Sequence, residues 1–150
     1  MFIDEYINYA KPLTDAPEDF HFMAAESLLS ITVGRRAYIR FSYGKCYLNT
    51  YLMVVAPPSA RKSTEFGIMK PVLDAIMKND AMLPLKTTPE QLLNMMSRNS
   101  QRLYTSDEYS IFLADAKKKY NDGIISDIVK LYDSPDTYVI VWEHHLYTHL

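Results

Sequence analysis

One cysteine, four glycines and no long apolar run set the first limits on this sequence. Cys46 alone cannot close an internal disulfide, so no disulfide framework holds the fold and a reducing compartment suits it. No window approaches the roughly 18 consecutive apolar residues that a membrane span needs. The opening residues, Met1-Phe2-Ile3-Asp4-Glu5, lack the basic lead of a secretory signal. A cytoplasmic protein without a membrane partner is therefore expected. An excess of charge is missing too. Sixteen Lys and Arg against 18 Asp and Glu leave a net charge of −2, so any contact with nucleic acid would have to be local. What the chain does have is 150 residues, 48% of them hydrophobic, enough for one compact domain with a real core and against disorder.

The stretch that organises the chain is Tyr51-Leu52-Met53-Val54-Val55-Ala56-Pro57-Pro58-Ser59-Ala60-Arg61-Lys62-Ser63-Thr64. An apolar run leads into a loop of small residues, then Lys-Ser-Thr, then a helical pattern. Leu52 to Val55 is continuously apolar, as a strand buried on both faces should be. The order strand, loop, helix is that of a phosphate-binding loop. The amides of Ser59, Ala60, Arg61, Lys62, Ser63 and Thr64 and the helix N-terminus would face an anion. Lys62 would reach the β- and γ-phosphates of ATP, and the Ser63 hydroxyl would hold Mg²⁺. The match is degenerate, because Ala56 and Arg61 stand where the motif has glycine. Arg61 is expected in the right-handed helical region, pointing outward. The bland reading of the same residues is a buried strand, a Pro-Pro turn and an ordinary helix start.

The remaining periodicities are mostly helical. Asp4 to Ala10 and Phe20 to Val33 read as helices, the first stopped by Pro12 and the second closed by Gly34. His21 falls in the first turn of the second, where a capping or solvent-facing role is expected. Arg36 to Ser42 and Tyr47 to Val55 read as strands, either a hairpin or two strands flanking the core. Ser63 to Met77 is a helix that Pro71 should kink or divide. Thr88-Pro89-Glu90-Gln91 opens another, with Thr88 as N-cap and Gln91 at N3. Gln101 to Ser106 is a short, weak strand pattern. Helices are expected over Tyr109 to Tyr120 and Ile124 to Tyr132, and a strand over Thr137 to Glu143.

Asp107-Glu108 follows the weak strand. At the carboxyl end of a core strand, Asp107 could hold the magnesium and Glu108 could orient the attacking water. The same pair also reads as the acidic first turn of the helix that starts at Tyr109. Lys117-Lys118-Lys119 complements a helix C-terminus, or touches nucleic acid. Glu143, His145 and His149 could be written as a metal set, but a β-continuing or frayed tail fits them better.

Several pieces resemble, in the same order, the N-terminal part of the primase–helicase-type P-loop ATPases common in viruses and mobile elements. They are the lead-in Ala16-Pro17-Glu18-Asp19-Phe20-His21, the loop Val54 to Thr64, Thr88-Pro89-Glu90-Gln91-Leu92-Leu93, Tyr104-Thr105-Ser106-Asp107-Glu108, and Leu131-Tyr132-Asp133-Ser134-Pro135-Asp136. In that family an Arg before the loop Lys is a familiar variant. The resemblance implies an α/β fold with a RecA-like parallel-sheet core over 35–150, incomplete at its C-terminal end, behind an N-terminal helical segment over 1–34. It implies ATP and Mg²⁺ as cofactors, with Lys62 and Glu108 as catalytic residues and Ser63 and Asp107 at the metal. DNA and further copies of the chain would be the partners. The alternative is a non-catalytic remnant or oligomerisation module that keeps the fold without turnover. A small nucleic-acid-binding adaptor is a third reading, resting on the lysine run and Arg35-Arg36.

Overall fold

Helices carry this fold. The computed structural model describes residues 1–150 except 79, 80, 85, 107, 139, 143, 144 and 148–150, with backbone alone at 140–142 and 145–147. The helices are α1 (Phe2–Ala10), α2 (Glu18–Val33), α3 (Lys62–Met77), α4 (Pro89–Arg98), α5 (Tyr109–Ala116) and α6 (Ile124–Tyr132). The strands are β1 (Tyr38–Phe41), β2 (Gly44–Tyr47), β3 (Ile140–Trp142) and β4 (His145–Tyr147).

The expected parallel-sheet, RecA-like α/β core is corrected by this architecture. Among the described residues the strands form two separate two-stranded sheets, β1 with β2 and β3 with β4. The second is antiparallel, with Val141 opposite Leu146. Gln101 to Ser106 supplies only an isolated parallel bridge, Met82 to Leu103, with the Leu83 amide donating to the Leu103 carbonyl at 2.9 Å. The run Leu52 to Val55 belongs to no strand and is exposed throughout, Val55 by 84%. Among the described residues its β-forming side chains have no neighbouring strand to pack on, and strand preference is largely that packing.

Contacts divide the chain into two units, residues 1–38 with 48–81 and residues 39–47 with 82–150. In the first, α2 packs against both α1 and α3. Ala10, Ala24, Ala25, Leu28, Ile31, Met69 and Leu73 are buried there. Pro71 lies inside α3 without dividing it. Its missing N–H is accommodated within one continuous 16-residue helix. In the second unit Leu83, Leu92 and Ile124 form the core, with Met95, Met96, Tyr104, Ile128 and Leu131 packed around it. The Thr88 hydroxyl accepts from the Gln91 amide at 3.3 Å, so α4 starts with a side-chain cap and with Pro89 in its first turn.

Candidate functional site

The loop before α3 is curled without glycine. Ser59 and Arg61 both take positive φ, 68° and 61°. Arg61 is thus left-handed, not in the expected right-handed region. As the N-cap of α3 it turns the chain sharply into the helix, and its carbonyl accepts the first bond, from the Glu65 amide at 3.1 Å. Its side chain is exposed and its Nε donates to Asp15 Oδ1 at 2.8 Å. That hydrogen bond, with the guanidinium charge behind it, holds the Asp15 carboxyl below the usual range.

Lys62 folds back over the loop. Its Nζ donates to the carbonyl of Ala56 at 2.8 Å and to that of Pro57 at 3.3 Å. The Ala60 amide closes a turn onto the Pro57 carbonyl at 3.4 Å. An ammonium group therefore sits against a tight loop at a helix N-terminus, with a second cation, Arg61, alongside in sequence. Ser63 and Thr64 follow in the first turn of α3.

Beneath this turn lies a cluster that the sequence reading passed over. Glu65 is buried. Its Oε1 accepts from the Tyr6 hydroxyl of α1 at 3.0 Å, and its Oε2 is hydrogen-bonded to His21 Nδ1 of α2. Burial and then the Glu65 carboxylate push the Tyr6 phenol pKa well up, so the hydroxyl stays protonated. With Nδ1 donating to the carboxylate, His21 is fixed in orientation, and its Nε2 is buried without a partner among the described residues. His21 is therefore neither a cap nor a solvent-facing residue. A signal was available. Glu65 is in phase with Met69 and Leu73, His21 with Ala24 and Leu28, and Tyr6 with Ala10, so each polar residue sits on its helix's buried stripe.

Glu108 lies in the second unit, whereas the loop lies in the first. It is the N-cap residue of α5, its carbonyl accepting from the amides of Ile111 and Phe112 at 3.1 and 3.3 Å. Asp107, Glu143, His144 and His149 lie outside the described residues. Among the described residues no cluster of three His, Cys, Asp or Glu could hold a metal ion. In the lysine run, Lys118 pairs with Asp115 and lies 5.8 Å from the centre of the Tyr120 ring. Among the described residues no helix is long and apolar enough to cross a membrane. No protein-family model, no curated protein and no solved structure matches this chain.

Proposed function

We propose that the loop at 56–64 binds the phosphate chain of ATP as its Mg²⁺ complex. The observation that carries this reading is the Lys62 ammonium held on two loop carbonyls at the start of a 16-residue helix. Phosphate oxygens would replace those carbonyls as its acceptors. The amides of Ser59 to Thr64 and the helix dipole would add to the attraction, with Ser63 beside the metal. The reading needs no parallel sheet, because the anion is held by one loop and one helix end. Lys62→Ala is expected to weaken ATP–Mg²⁺ binding by about 2–3 kcal/mol, the scale of a lost charge-assisted contact. Titration calorimetry on the two proteins tests it, and equal affinities would end the proposal. DNA enters only through the family resemblance, and stimulation of phosphate release by single-stranded DNA is its test.

A second reading is self-association without turnover. It is favoured by the exposed apolar run Leu52, Met53, Val54 and Val55. Light scattering on the wild type and on Val55→Lys separates the two. A mass above one chain that falls with the substitution supports association through this run. A strictly monomeric wild type removes it.

A further inference from the structure

We propose that the second unit binds a flat heterocycle of the guanine class in the cavity bordered by α5, the start of α6 and the residues around 86 and 104. This does not rest on the phosphate reading of the loop.

The cavity measures about 160 Å³. That space, which opens to solvent, admits one flat bicyclic ring. Its apolar wall is aromatic. Tyr104 and Phe112 meet edge to face with centroids 5.9 Å apart, a surface suited to a flat ring.

Three neutral side chains of the polar lining spend a donor on nearby backbone carbonyls. Asn121 Nδ2 donates to the Asp115 carbonyl at 3.0 Å, Ser106 Oγ to the Glu108 carbonyl at 3.1 Å and Thr87 Oγ1 to the Thr88 carbonyl at 3.3 Å. What they leave is acceptors. Asn121 is 5% exposed, and its Oδ1 has no donor among the described residues. The Nδ2 bond fixes which amide atom is the oxygen. The carboxylates of Glu108 and Asp115 add further acceptors, the second held ionised by Lys118. Lys86 brings a cation to the same lining. A matching ligand carries adjacent N–H donors, from a ring nitrogen and an amino group, beside one carbonyl acceptor. Guanine has that pattern. Adenine lacks the carbonyl, and hypoxanthine lacks the amino group. Glu108 is thereby a ligand-binding carboxylate rather than a water-orienting base.

The test uses nucleosides, which carry no phosphate for the loop to hold. Guanosine, inosine and adenosine are titrated into the whole chain by calorimetry and by saturation-transfer NMR. Guanosine is expected to bind at least about tenfold more tightly than inosine or adenosine, the worth of one good hydrogen bond to a charged group. Glu108→Gln, at an exposed helix start, is expected to lower guanosine affinity about tenfold and inosine affinity by less. Equal binding of inosine and guanosine would overturn the proposal. So would preferential binding of a simple amine such as benzylamine, absence of binding by any nucleoside, or an unchanged guanosine affinity in Glu108→Gln.

Discussion

Glu65→Ala removes the one acceptor that two buried donors share. The Tyr6 hydroxyl and the His21 Nδ1–H would remain in the core with nothing to accept them. The Glu65 side chain is only 6% exposed, so bulk solvent does not reach the two donors, and a water trapped in the vacated space would offset only part of the loss. Each donor left in this state costs about 1–3 kcal/mol, which gives about 2–6 kcal/mol for the two. The measured range for breaking a buried pair by removing one partner, about 3–5 kcal/mol, falls within it. An expected loss of about 4 kcal/mol is a large share of the stability of an ordinary domain. It should appear first where Glu65 ties α3 to α1 and α2. Hydrogen exchange of peptides covering Lys62–Met77 is the appropriate assay, because it reports local opening. At about 1.4 kcal/mol per decade, exchange there should quicken by about a thousandfold. The triple replacement Tyr6→Phe, His21→Leu, Glu65→Met removes every polar group of the cluster and should recover most of the loss. Exchange that changes less than about tenfold in Glu65→Ala would refute this account and leave the cluster as mere filling.

The loss of ATP–Mg²⁺ affinity in Lys62→Ala, read by calorimetry, is the corresponding expectation for the loop above it. Arg61→Ala should be less stable than Arg61→Gly by about 1 kcal/mol in chemical unfolding, since both lose Asp15 but only alanine resists the left-handed backbone. Thr88→Ala should destabilise α4 by about 1 kcal/mol, seen as a lower urea midpoint with an unchanged slope. The Tyr138 phenol pKa is raised to about 12 by burial and by its bond to Asp127, so the folded chain holds this proton more tightly than the unfolded one. Its contribution is complete below pH 10 and lost as pH rises toward 12. Melting temperatures between pH 8 and 12 should fall more steeply in the wild type than in Tyr138→Phe.

Much of the helical layout was legible. Ile124 to Tyr132 was readable to the residue, because Gly123 precedes it and Asp133-Ser134-Pro135 follows. Thr88 and Pro89 marked the start of α4 for the same local reason. These signals act over three or four residues and need no tertiary partner. Sheet structure does need one. Leu52 to Val55 has the composition of a central strand, but composition names no neighbour to pair with, and in the fold no described strand does. Of the candidate site, the loop and its lysine were legible from residue order. The cluster under it was not, since its three members come from three helices, and only packing brings Tyr6, His21 and Glu65 together.

That cluster bears on how a loop without glycine keeps its shape. A left-handed residue with a side chain costs about 1–2 kcal/mol, and Ser59 and Arg61 both take such a conformation. Two contacts hold them from above: Lys62 on the carbonyls of Ala56 and Pro57, and Arg61 on Asp15. Two of these three bonds are exposed and the third, Lys62 to Ala56, is only part-buried, so they do not by themselves fix the helix that the loop enters. The buried carboxylate of Glu65 can, because it sits one turn into α3 and is bonded to both α1 and α2. Backbone strain persists where the surrounding structure over-determines it, and this turn is held from both sides. Glycine at these positions would relax the loop but would also free it to collapse or open. With the helix anchored, a serine and an arginine can hold the curled backbone that glycine would otherwise supply. In the proposed phosphate site the ordering cost of binding would then largely be met in folding.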